Sequence, residues 1–381
     1  MLRSSDTRAQ SDSEKWHKYT GTNILPMWIA DTEFLAAPPI LDALRDRLDH
    51  GVFGYGYRQP RFLNAVKKHC RELYDWHIED DWILPLTGVV PGLNFSRAIS
   101  QLHGKNRAVL VEPVYPHLRK HPALLPGFSD SGSPCKLENG RWVPDFDALE
   151  ANINDDTGLL LLCHPNNPIG RAHTDDELAR YSSIAEKYDL IVCADEIHCD
   201  LILNGSRHRP FASLGDDQRS RTITLMAASK TWNIAGLSCA FAIIANPELR
   251  RDFQRVSAGM TGDVNVLGMT ATIAALEHGE PWRQKMLKYL RENAALTERR
   301  INATGKLHMT PVEATYLAWI DARDLGVENP QKFFEQHGVG MNDGADFGAP
   351  GFVRLNFGCP REMLEEALER IEIAVTKLTH A

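Results

Sequence analysis

The chain has 381 residues, with 42 Lys and Arg against 50 Asp and Glu, a formal net charge of −8 and 43% hydrophobic residues. This ordinary globular composition excludes disordered, collagenous and low-complexity classes, and an acidic balance without a long basic run argues against nucleic acid or an anionic membrane as partner. At about 150 residues per domain the length suits two or three domains. Seven cysteines without a C-x-x-C pair support neither a zinc ribbon nor a redox motif, and read as reduced thiols in a cytoplasmic protein.

In chain order, the polar stretch MLRSSDTRAQSDSEKW has no apolar h-region, so no secretory signal is expected and the segment reads as an arm. GTNILPMWIADTEF follows without a clear period. APPILDALRDRLDH predicts a helix, with Ile40, Leu41, Leu44 and Leu48 at helical spacing and Pro38–Pro39 suited to its start. GVFGYGYR is a glycine–aromatic loop, and residues 61–76 again predict an amphipathic helix. Strand and helix then alternate. DWILPLTG, RAVLVEPVY, TGLLLLC, DLIVCAD, TITLM and LSCAFAIIA read as strands, PGLNFSRAISQL and DDELARYSSIAEKY as helices. The second helix carries a capping box, Thr174 with Glu177. Such alternation argues for a mostly parallel sheet covered on both faces. Past Pro281 come a long helix over 282–304, the runs TYLAWIDAR and FVRLNFG, and a final amphipathic helix, the pattern of a smaller α+β domain. No uncharged apolar stretch approaches about 20 residues, so no spanning helix is expected.

Four features bear chemistry. Lys230, in AASKTWNIAGL, follows an apolar strand in a turn of small residues; an amine in an apolar pocket or near other cations has a lowered pKa and forms Schiff bases with carbonyls. Asp195 and Glu196, in CADEIHCDL, end another strand. Paired carboxylates suit a metal, whereas one buried Asp suits a protonated ring nitrogen. HPNNPIGR is a proline–asparagine loop containing Asn167, and its residues equally suit an ordinary turn. LTGVVPGL is a glycine turn opening a helix, a cradle for phosphate. Asn167, Asp195 and Lys230 lie at the carboxyl ends of apolar runs, the edge where open α/β sheets bind ligands.

In this order the four features resemble the fold-type I enzymes that use pyridoxal 5'-phosphate, the aspartate-aminotransferase-like superfamily. Closer still, LPMWIADTEF at 25–34, GVFGYGYR at 51–58, ADEIHCDL at 194–201, SKTWNIAGL at 229–237 and VNVLGMTAT at 264–272 resemble the MalY/PatB-type cystathionine β-lyases, also called carbon–sulfur lyases. The resemblance implies an α/β fold with a large domain, residues 47–280, built on a mostly parallel seven-stranded sheet. It also implies a discontinuous small α+β domain, residues 1–46 and 281–381. The reaction implied is α,β-elimination on L-cystathionine or another cysteine S-conjugate, giving pyruvate, ammonia and a thiol. An aminotransferase on the same scaffold is the alternative.

By the same resemblance, Lys230 holds the cofactor as a Schiff base and then takes the substrate's Cα proton. Asp195 pairs with the ring nitrogen, Asn167 meets the ring 3-oxygen, and His198 stands where many relatives place a tyrosine on that oxygen. Tyr115 stacks on the ring. Gly88, Val89 and Val90 offer backbone N–H groups to the phosphate, helped by Ser229. Tyr55, or its rival Tyr57, reaches the phosphate of a neighbouring subunit, which implies a homodimer with shared sites. Arg354 clamps the substrate carboxylate beside the backbone of Ala30, and no metal is expected. Two positions depart from the superfamily pattern: Ala227 stands where many members have Ser, and Ser238 where they have a basic residue, so the phosphate site carries less side-chain charge. In SEKWHKY, His17 replaces the acid of the related motif.

Overall fold

The computed structural model describes residues 2–4, 8–120 and 125–379. The helices used below are α1 (Pro38–His50), α2 (Pro60–Tyr74), α3 (Val89–Leu102), α4 (Asp175–Lys187), α5 (Pro247–Ser257), α6 (Val266–His278), α7 (Glu280–Ala303) and α8 (Arg361–Thr379). The larger sheet comprises β1 (Ile83–Leu86), β2 (Arg107–Glu112), β3 (Ser129–Glu138), β4 (Arg141–Pro144), β5 (Thr157–Cys163), β6 (Ile191–Asp195), β7 (Thr222–Met226) and β8 (Ala240–Ile243). Its strand order is β1-β8-β7-β6-β5-β2-β3-β4.

From β7 to β3 the pairing is parallel, while β8 runs antiparallel to both neighbours and β4 antiparallel to β3. The sheet thus has eight strands rather than the expected seven. The hairpin β3–β4 escapes a search for apolar runs because SDSGSPCKLE is polar and partly exposed. Its turn is nevertheless marked, since Asn139 and Gly140 both take left-handed φ (51° and 75°), the demand of an Asn-Gly hairpin turn.

The apolar strands alternate with period two between two cores. Leu159 and Leu161 pack under α3 and α5 with Leu93, Ile99 and Phe253. Leu160 and Leu162 face α4 through Tyr181 and Ile184. Helix α4 begins with the expected capping box, and α1 begins on Pro38–Pro39 and ends on Gly51 in the left-handed region.

A four-stranded antiparallel sheet orders His308–Met309 (β9), Leu317–Asp321 (β10), Phe352–Asn356 (β12) and Asn342–Asp343 (β11). It shares a core with α7 and α8. The N-terminal segment joins this part: Leu25–Pro26 pairs in parallel with Val339–Gly340, and Met27 and Ala30 lie in the same core. Helix α1, by contrast, packs on α6, with Ala37 and Ile40 against Trp232, Ala271 and Ala275. This arrangement brings the loops after β2, β5, β6 and β7 to face residues 27–34 and β12.

Candidate active site

Asp195 is the last residue of β6 and is buried. Its Oδ1 accepts the amide of Ile197 at 3.2 Å. Burial pushes its carboxyl up to about 6, opposed by that amide and by the nearby Lys230 ammonium. Two residues beyond that amide's neighbour Glu196, His198 is also buried, and its Nδ1 has no hydrogen-bond partner. Burial, then the charges of Lys230 and Arg354, push its imidazole down to about 3, so it is neutral at working pH. A neutral ring with an unpartnered nitrogen is a costly thing to bury, and it marks a place for a polar group.

The rest of this turn is held from behind. Glu196 pairs with His208 at 2.8 Å and accepts the amide of Phe211 at 2.9 Å. Asp200 pairs with His69 at 2.9 Å and accepts from the Tyr74 hydroxyl. The Glu196 carboxylate is therefore consumed by structure and does not join Asp195 in a metal site. Among the described residues no group of three or more His, Cys, Asp or Glu is placed to hold a metal.

Lys230 lies past β7, and its Nζ donates to the carbonyl of Ala30 at 2.8 Å. Burial first, then the Arg354 charge, bring its ammonium down to about 8, against the pull of Asp31 and Asp195. Ala30 therefore meets the lysine directly, and the Tyr316 hydroxyl donates to the same carbonyl at 3.1 Å. Residues 29–34 are tied down from several sides. Asn356 donates to the Ile29 and Asp31 carbonyls. Asn233 bonds Thr32 and Phe34. Buried Lys15 bridges Glu33 at 2.7 Å and Asp31 at 3.4 Å, and Arg8 pairs with both acids. Trp16 donates to Glu33 at 3.1 Å. The segment SEKW thus has a structural task, whereas His17 is exposed.

Arg354 sits in β12, buried. Its Nη1 donates to Asn167 Oδ1 at 2.7 Å, and its Nη2 to the Trp28 carbonyl at 2.9 Å and Asn342 Oδ1 at 2.7 Å. The guanidinium lies 4.7 Å over the Phe347 ring. Its Nε is buried without a partner, and burial pushes its pKa down to about 10. A planar cation kept short of one acceptor is suited to a carboxylate. Because Asn167 gives its oxygen to Arg354, its amide nitrogen is left to donate elsewhere. Tyr115 follows β2, and burial raises its phenol, with Asp195 adding to the rise and Arg354 opposing it. Asn342 and Tyr316 carried no motif signal; Asn233 and Asn356 lie in the quoted runs SKTWNIAGL and FVRLNFG but were given no role, which only the loop geometry and the sheet register reveal.

Gly88 is the N-cap of α3, and no side chain caps that helix, so the amides of Val89 and Val90 remain for an anion. Ser229 is half-buried beside Lys230. Ala227 is buried and Ser238 exposed, so neither adds charge there. The structure does not bring Tyr55 to this site within one chain: it is fully exposed on a loop without regular structure, and Tyr57 is exposed too. Trp232, two residues past the lysine, is buried in the core under α1, its indole donating to the Gly279 carbonyl at 3.2 Å. Trp28 is occupied by the arm, donating to the Lys15 carbonyl at 3.0 Å.

The geometry suits pyridoxal phosphate: an uncapped helix end for phosphate, a carboxylate and an unpartnered imidazole for the ring, and an amine of lowered pKa. Residues 31–371 match the family model for aminotransferase class I and II. Cystathionine beta-lyase PatB of Bacillus subtilis is 33% identical over 97% of this chain and 98% of its own length. The crystal structure of OvoB superposes with a TM-score of 0.95 at 45% identity, covering 98% of each chain. Cystalysin from Treponema denticola, whose structure contains pyridoxal 5'-phosphate, gives 0.91 at 28% identity over 99% of this chain and 98% of that one. The chain belongs to the aminotransferase class I and II family, in its MalY/PatB-type cystathionine β-lyase branch.

Proposed function

We propose that the protein is a pyridoxal-phosphate-dependent carbon–sulfur β-lyase acting on cysteine thioethers such as L-cystathionine. The observation that carries this reading is the convergence of Lys230, Asp195, Asn167 and Arg354 from four separate elements. Lys230 would hold the cofactor covalently, Asp195 its ring nitrogen, Asn167 and His198 its 3-oxygen, Tyr115 its ring face, and Gly88, Val89, Val90 and Ser229 its phosphate. When bound, the cofactor supplies an electron sink that makes the substrate's Cα–H acidic.

The chain's own residues do the rest. Arg354 fixes the substrate carboxylate through the edge that includes its free Nε, beside the backbone of Ala30. That places Cα within reach of Lys230, whose amine, lowered to about 8, is about one-tenth unprotonated at pH 7, far more than an ordinary lysine, and takes the Cα proton in that form. The Cβ–S bond breaks with its electron pair on sulfur. A thiolate with a pKa near about 8.5 leaves with little acid assistance. With one water consumed, the carbon skeleton ends as pyruvate and ammonia.

The chain divides into a large domain, 47–280, and a small one, 1–46 with 281–381, with α1 bridging onto α6. The working form is a cytoplasmic homodimer. Val52, Phe53, Tyr55 and Tyr57 are exposed together on one loop, an apolar display that a second copy would cover, placing Tyr55 at the neighbour's phosphate. Incubation with L-cystathionine is expected to yield pyruvate, ammonia and thiol in equal amounts. No pyruvate from any S-substituted cysteine, together with amino transfer to an oxo acid, would replace the lyase reading with an aminotransferase.

A further inference from the structure

Asn233 stands three residues after Lys230 with φ +57°, a left-handed conformation open to glycine at no cost and to asparagine more readily than to most residues. What asparagine adds is its carboxamide, and here that group bonds only a segment distant in sequence. Oδ1 accepts the Thr32 amide at 3.1 Å, while Nδ2 donates to the Thr32 carbonyl at 2.9 Å and the Phe34 carbonyl at 2.8 Å. Two residues before Thr32 lies Ala30, whose carbonyl receives the Lys230 ammonium. A closed ring of contacts results: the turn from Lys230 to Asn233, the clamp onto Thr32, the backbone back to Ala30, and the bond to Lys230. Tyr316 braces the ring by reaching both the Ala30 and the Lys230 carbonyls, at 3.1 and 3.4 Å.

We propose that Asn233 is a positioning residue for Lys230: by clamping residues 32–34 to the lysine turn, it sets the distance between the ε-amine and the Ala30 carbonyl, and through it the amine's basicity and aim. The inference rests on Lys230 being the base of the lyase reaction. An acceptor held at hydrogen-bond distance favours the ammonium form. Without the clamp, the carbonyl shifts from its place and the amine's hydrogen bond to it weakens, leaving the more distant Asp31 and Asp195 to favour the charged form, so the amine deprotonates at lower pH but is aimed less well.

Asn233→Gly tests this, because glycine keeps the left-handed backbone and removes only the carboxamide. Asn246→Ala is the control: it deletes the cap of α5, whose side chain accepts the Glu248 amide at 2.8 Å far from the site. Two quantities are read. The first is the pH profile of Lys230 modification by an amine-directed reagent in cofactor-free protein, followed by peptide mass spectrometry. Asn233→Gly is expected to shift the profile to lower pH, with modification at pH 7 about three- to tenfold faster, the size of one lost hydrogen bond. The second is the split between kcat and KM in the holoenzyme: kcat is expected to fall by about tenfold or more, with KM changed less than about twofold. Asn246→Ala should change neither. A wild-type profile in Asn233→Gly, or equal loss of kcat in both variants, would overturn the proposal. If the wild type lacks lyase activity while the labelling profile still shifts, the functional reading fails and the positioning role stands.

Discussion

Lys230→Ala removes both the covalent anchor and the base, so pyruvate release from L-cystathionine is expected to drop by about 10³-fold or more, together with the visible absorbance of the loaded protein. Asp195 makes a sharper case. Its carboxyl is raised from the usual range to about 6 in the cofactor-free fold, so the native state binds a proton that the unfolded chain has released between about pH 4 and 6. Stability contributed by this group therefore falls as pH rises through that window. Cofactor-free Asp195→Asn should accordingly be more stable than wild type above about pH 6, by about 2–3 kcal/mol, with the advantage vanishing towards pH 4. Urea titrations across the window measure it. At this scale the sequence was legible wherever a residue type has a narrow chemical use, as with Lys230, Asp195 and Arg354. It was silent on Asn342, Asn356 and Tyr316, because asparagine and tyrosine have many uses, and only the fold shows that Asn342 accepts from Arg354 while Asn356 and Tyr316 donate to carbonyls of residues 29–31.

The segment VNVLGMTAT forms the start of α6, and its geometry explains why it accompanies the lysine turn. Asn265 caps the helix by accepting the Gly268 amide at 2.7 Å while donating to the Leu237 carbonyl at 2.8 Å. A Cβ on Gly268 would lie 2.2 Å from that same carbonyl oxygen, a backbone atom that cannot rotate away. Gly268→Ala is therefore expected to cost about 1–3 kcal/mol by overpacking, read as a lower denaturant midpoint, and Asn265→Ala about 1 kcal/mol by loss of the cap. Helices with a clear apolar stripe or a capping box were visible in the sequence, as α2 and α4 show. The β3–β4 hairpin was not, because exposed polar strands lack alternation, although the Asn-Gly pair at its turn carried the signal. The irregular run at 27–34 had no period to read, since it is held by side chains from four other segments rather than by a ladder.

If Tyr55 completes a neighbour's site, two inactive variants should rescue one another. Mixing subunits of Tyr55→Ala and Lys230→Ala after dissociation places both lesions in one site of each mixed dimer and leaves the other site intact. Random pairing then restores about one quarter of wild-type activity, whereas sites confined to single chains restore none. Six of the eight strands of the large sheet followed from apolar runs ending in polar loops. The meeting of residues 25–34 with β12 joins segments separated by most of the chain, so no local pattern carried it, and it was expected only through the family resemblance. That meeting has a consequence for how the molecule is made. Leu25–Pro26 has no strand partner until Val339–Gly340 exists, and Ile29 and Asp31 wait for Asn356. During synthesis the cofactor-facing half of the site has all its strands well before the carboxylate-facing half. A nascent or C-terminally shortened chain would thus carry Lys230 and Asp195 in place while the first thirty or so residues stay undocked, so the last fraction of translation decides whether a folded sheet becomes an enzyme.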